Sequence, residues 1–139
     1  MKKYVILKLI GLSILVMACL ILASFIEVAI YSYTINPGKD IRVYDEHAME
    51  SAPYISGILG FISFYFISRF WTRKKYYNIA SMIWLFPIIY LIIDLLIFLL
   101  AQVDFSEFVG IFTLTNGLKF LGSYSGYILN ESFQKNTNE

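Results

Sequence analysis

The sequence predicts an all-α protein, an integral membrane four-helix bundle with short loops and both termini in the cytoplasm, built from residues 1–139 as a single four-span domain. Three observations lead there. Hydrophobic side chains make up 58% of the 139 residues and charged ones 15%, where soluble domains carry about 25% charged. The apolar residues fall into four runs, each near the roughly 20 residues that a bilayer crossing needs. The basic residues gather on one side of those runs. A net charge of +1 gives no basic surplus for nucleic acid and no acidic surplus for a disordered tail.

The first run covers residues 9–31, with a basic start at Lys2, Lys3 and Lys8. A removable signal is the competing reading, because Val16-Met17-Ala18-Cys19 loosely resembles a lipoprotein processing box. The apolar stretch continues past Cys19, far beyond a normal signal core, so a retained helix with Cys19 as a small buried residue is preferred. A lone cysteine makes no internal disulfide and reveals no redox compartment. Next comes an outer loop, residues 32–52, with a turn signal at Asn36-Pro37-Gly38 and mixed charges from Lys39 to Glu50. Ile41, Val43 and Tyr44 suit a short extended piece or the bundle rim. Ser51 before Ala52-Pro53 reads as an N-cap with proline in the first turn, which starts the second span at residues 53–70.

The third span, residues 79–101, is the most apolar, with Asp94 as its one charge and Pro87 expected to kink it and free the carbonyl of Ile83. The fourth, residues 108–129, is the least apolar. Thr113, Asn116, Lys119, Ser123, Gly126 and Asn130 recur at three-and-four spacing, so a polar stripe is expected to face inward. Gln134 to Glu139 reads as a fraying tail.

Eight basic residues (Lys2, Lys3, Lys8, Arg69, Arg73, Lys74, Lys75 and Lys135) lie on one side of the spans, against Lys39 and Arg42 on the other. Asp40, Asp45, Glu46, Glu50, Asp104 and Glu107 share that second side. The positive-inside rule then places the termini in the cytoplasm. Trp71, Tyr76, Tyr77 and Trp84 fit an inner aromatic belt, and Tyr31, Tyr33 and Tyr54 an outer one. The localisation read from this is the inner or plasma membrane, multi-pass.

Glu27, Asp94 and Lys119 are the charged residues inside the spans, Arg69 lying at the inner end of the second. Each charge at the bilayer centre costs at least about 2.5–3.5 kcal/mol, so each should face the interior and find a partner. At about 1.5 Å of rise per residue, Glu27 sits roughly 6–9 Å below the outer boundary, Asp94 roughly 11 Å and Lys119 roughly 17 Å. Helical side chains lean toward their own N-terminus, which tilts the two acids inward and the amine outward. A converging trio follows, with Lys119 paired to Asp94, Asn116 on the same face, and Glu27 above. Its net charge of −1 suits a proton or a cation. At the outer mouth, His47 and Glu50 are candidates for a proton relay or half a metal site. With one histidine and one cysteine, a usual zinc site needs Glu27 or Asp94 in range, and no metal is assigned.

No nucleophile motif, zinc-protease motif or phosphate loop occurs, and nothing calls for a cofactor; an intramembrane enzyme would have to be built from His47, Glu50, Glu27 and Asp94. Two functions stay open. One is a site that binds or moves a proton, a cation or a small cationic solute. The other is an accessory, assembly or immunity-type membrane protein whose buried charges are structural. Lipid is the expected partner, together with another membrane protein or a second copy. Gly122 and Gly126, with Ala52, Ser56 and Gly60, supply small-residue faces for helix packing within the chain or for a homodimer seam.

Overall fold

A largely apolar run without proline forms α1, Lys3–Ile30, in the computed structural model, which describes residues 3–73, 79–101 and 105–136. The helix continues as a wider π-helical turn, Tyr31–Ile35, and the amide of Asn36 closes it by donating to the Tyr31 carbonyl five residues back, at 2.9 Å. Pro37 cannot extend the helix. Gly38 follows at φ 75°, a conformation that costs a residue without Cβ little, and the chain reverses.

The second helix departs from the sequence expectation. α2 spans Ile41–Arg73, so the predicted loop of residues 32–52 is largely helical, and Ile41, Val43 and Tyr44 belong to its first turns. Asp40 is the N-cap: its carboxylate accepts from the Arg42 amide at 3.0 Å, and its carbonyl from the Val43 amide at 3.0 Å. Ser51 is therefore mid-helix, and Pro53 lies inside the helix. Proline costs a helix the bond to the carbonyl four residues back. Here that residue is Met49, 64% exposed, where a freed carbonyl can reach water.

α3, Ile79–Leu100, follows the predicted limits closely, whereas α4, Phe105–Asn136, is longer than predicted and takes in the start of the expected tail. Lys2, Lys74, Lys75, Tyr76, Tyr77 and Asp104, and the side chains of Lys3, Glu107, Asn130 and Lys135, lie outside the described residues.

The helices form a ring in the order α1, α2, α4, α3, with α2 and α4 the most extensively packed pair. These two run in the same direction, since Gly57 meets Leu118, Gly60 meets Lys119, Phe61 meets Gly122 and Tyr65 meets Gly126 in rising order. A methyl group on Gly122 would collide with the Phe61 carbonyl oxygen, and one on Gly126 with that of Tyr65. Both glycines are thus used for close packing inside the chain.

Leu9, Val16, Met17 and Leu20 of α1 meet Phe64 and Trp71 of α2 and Phe86 and Tyr90 of α3 in one apolar core. Phe64 stacks on Phe86 at 4.4 Å, and Trp71 meets the same ring edge-on at 5.3 Å. Trp71 is thereby a core residue instead of the boundary anchor expected, because its indole turns toward Phe86; Trp84 stays half exposed. Cys19, expected to be buried, faces outward.

Three helical stretches among the described residues are long and apolar enough to cross a membrane: Tyr4–Ile35, Ile41–Arg73 and Ala80–Leu100. α4 has the length but is inverted in polarity. Thr115, Asn116, Lys119 and Ser123 are buried, while Leu114 and Leu121 are 65% and 56% exposed. Thr113, assigned to the inward stripe, is exposed and returns its hydroxyl to the Val109 carbonyl at 2.7 Å.

Candidate functional site

The charged residues gather in two separate polar centres where the sequence suggested one converging trio. The inner centre is built around Lys119 of α4. Its aliphatic stem runs along α2 over Gly60, where even a methyl group would press on the lysine's Cε and Cγ. The absence of a side chain at position 60 therefore makes the lysine's channel. The amine donates to Ser56 Oγ at 3.1 Å and, more weakly, to the Thr115 carbonyl at 3.4 Å, and it lies 4.9 Å from the centre of the Tyr90 ring. Only 1% of Lys119 is exposed. Three donors and three acceptor directions match, the last being the negative face of an aromatic ring.

Asp94 does not form the expected ion pair with Lys119. It accepts from Asn116 Nδ2 at 3.0 Å, and the other amide hydrogen of Asn116 goes to the Phe112 carbonyl at 3.0 Å. Asp94 still lies within electrostatic range of Lys119, so opposite charges share this layer without touching. The reason is angular. Lys119 leans toward its own N-terminus, as its bond to Thr115 shows, but its stem is turned to α2, whereas Asp94 approaches α4 beside Asn116.

Glu27 is separated from both. Because residues 41–52 are helical, α2 folds back along the end of α1 and brings His47 and Ser51, four apart and on one face, to the carboxylate. His47 Nε2 lies 2.6 Å from one oxygen of Glu27, and Ser51 donates to the other at 2.9 Å. Tyr31, one turn beyond Glu27, stacks on the imidazole with centroids 3.6 Å apart and planes 9° from parallel. Side-chain exposures of 24% for His47 and 34% for Glu27 leave the pair sheltered but reachable by water. Glu50, the other candidate at this mouth, is exposed and has no hydrogen bond or ion pair among the described residues. His47 and Glu27 offer two metal ligands, and the described residues gather no third His, Cys, Asp or Glu beside them.

A third polar element links three helices. Pro87 leaves the Ile83 carbonyl without its helical donor, and Ser123 donates to that oxygen at 2.8 Å. Since a serine has one hydroxyl hydrogen, Ser68, 2.8 Å away, is the donor in the Ser68–Ser123 bond. Ser56, Ser51, Tyr31, Tyr90 and Ser68 are the site residues that the sequence reading passed over. Their signal was positional: Ser56 lies one turn before Gly60, and Ser51 one turn after His47.

A shallow apolar groove of about 500 Å³ lies between α3 and α4, lined by Trp84, Leu114, Gly117, Leu121 and Tyr124 among others, and none of the six candidate residues borders it. No family model, curated protein or solved structure matches the chain.

Proposed function

We propose that the chain is a four-span protein of the inner or plasma membrane, with both termini in the cytoplasm, acting as a non-catalytic accessory or assembly component of that membrane. The membrane part of this reading rests on the reversed polarity of α4 and on the broad apolar exterior, with Leu7, Phe25, Ile92 and Leu99 each more than half exposed. Lipid satisfies such a surface, and a polar helix crosses when its polar face is hidden against a neighbour.

The accessory reading is carried by one observation, the saturation of the Lys119 amine by Ser56, Thr115 and Tyr90. An amine with every hydrogen directed at protein is a structural fixture that sets the rotation and depth of α4. The partner is then another membrane protein or a second copy, meeting a surface other than the Gly122–Gly126 face that α2 covers. A second reading keeps the proton- or cation-binding function and rests on Asp94, which is only half-buried and whose carboxylate has one donor, Asn116, among the described residues.

Reconstitution into liposomes under an imposed pH gradient or potassium diffusion potential separates the two. The accessory reading expects no flux above that of empty vesicles, and expects Asp94→Asn with Lys119→Gln to fold like the parent. Flux that disappears in Asp94→Asn would overturn it in favour of the second.

A further inference from the structure

We infer that Glu27, His47 and Tyr31 form a proton-binding clasp, in which uptake of one proton by His47 tightens the hold of the α2 N-terminal arm on the end of α1. This inference rests on the geometry of that end of the bundle and not on the accessory role.

Glu27 and Tyr31 lie one turn apart on the same helix, and His47 enters between them, its edge on the carboxylate and its face on the phenol ring. Each neighbour favours a positive imidazole. A carboxylate accepts a stronger hydrogen bond from an imidazolium than from a neutral ring, and the 2.6 Å separation suits a charge-assisted bond. The face of a tyrosine attracts a cation lying over it. Ser51 fixes the second carboxylate oxygen, so Glu27 cannot swing away without losing two bonds to α2.

The remaining groups around the ring serve geometry. From the π-helical turn, Tyr31 is held by Asn36 Nδ2 at 3.1 Å and meets Tyr44 edge-on. The Tyr44 hydroxyl donates to the Asn36 carbonyl at 3.0 Å and accepts from the Lys39 amide at 2.9 Å. On the ring's own helix, Asp45, Glu46 and Glu50 are exposed. The ion pair and the ring stacking of the imidazole are both with α1 and the π-helical turn that continues it. His47 is the only histidine of the chain, and histidine is the side chain whose charge ordinarily changes between pH 5 and 8. A proton gained by His47 adds charge assistance to the tie with Glu27, so the arm is held more firmly in acid than in base.

Hydrogen exchange of the full-length protein in lipid nanodiscs, at pH 5.5 and pH 8 and corrected for intrinsic rates, reads the clasp through the amides of residues 31–36 and 41–44. The parent should exchange about fivefold more slowly at pH 5.5, the difference between a charge-assisted and a neutral hydrogen bond. Glu27→Gln and His47→Gln should each show the same protection at both pH values, and Ser51→Ala should keep the pH difference while exchanging faster throughout. Using two neutral variants guards against misfolding of either. Equal protection of the parent at both pH values, or a pH difference that survives in both neutral variants, would overturn the inference.

Discussion

Substitution of Gly122 by alanine probes the α2–α4 contact with an internal control in the same helix. An added methyl group at position 122 points at the Phe61 carbonyl oxygen, carbon and Cα, all of them backbone atoms of a helix that cannot rotate aside. The two helices must separate or slide. Overpacking of a close contact costs about 1–3 kcal/mol, or roughly 5- to 150-fold in the folding equilibrium. Gly117, five residues earlier, has nothing within 4 Å of its added methyl. There the same change gains helix propensity, up to about 1 kcal/mol. Reversible unfolding in mixed micelles, followed by the fluorescence of the buried Trp71, should rank Gly117→Ala at or above the parent and Gly122→Ala well below both. Equal stability of Gly117→Ala and Gly122→Ala would refute the reasoning, since the packed and open faces of α4 would then be indistinguishable.

Ser123→Ala leaves the Ile83 carbonyl without a donor and should destabilise by about 1–2 kcal/mol, the cost of an unpaired buried acceptor. In a Pro87→Ala background the restored amide at 87 can serve that carbonyl, so the cost of Ser123→Ala should shrink; an undiminished cost in the double-mutant cycle would show that the serine acts elsewhere. Lys119→Met combined with Asp94→Asn should unfold within about 1 kcal/mol of the parent, because the methionine keeps the stem in the Gly60 channel and no charge is stranded. Lys119→Ala empties that channel and should cost about 2–5 kcal/mol in the same assay. Cys19, outward-facing in the middle of α1 and the only cysteine, should resist a water-soluble maleimide in intact membranes and react after denaturation; ready labelling in membranes would place that face of α1 in water.

Helix identity was legible in the sequence because continuous apolar runs separated by basic or turn-forming segments leave few alternatives, and α3 shows this best. The start of α2 was misread for a definite reason. Ser51-Ala52-Pro53 imitates a helix N-terminus, and proline is equally acceptable inside a helix whose freed carbonyl is exposed, as at Met49. The true cap, Asp40 after Gly38, was visible as a turn glycine followed by an acid. The site was legible in depth and lean but not in azimuth. Rise per residue put Asp94 and Lys119 at similar levels, and Lys119 does lean back on Thr115. Which neighbour each head meets depends on how α4 is rotated, and that is set by Gly60, Gly122 and Gly126 against α2. Glu27 found His47 only because the supposed loop is helical. The release of the Ile83 carbonyl by Pro87 could be deduced from the sequence, whereas its capture by Ser123 required knowing which face of α4 meets α3.

The most direct test concerns α4, the helix with buried polar and exposed apolar residues that is nonetheless placed as the fourth crossing. In intact cells or oriented membranes, protease protection of a tag after Glu139, read against one before Met1, counts the crossings by parity. Both tags on the cytoplasmic side is the result expected of a helix that hides Lys119 and Asn116 against its neighbours. An N-terminal tag inside with a C-terminal tag outside would mean an odd number of crossings, leave α4 out of the bilayer, and contradict the account.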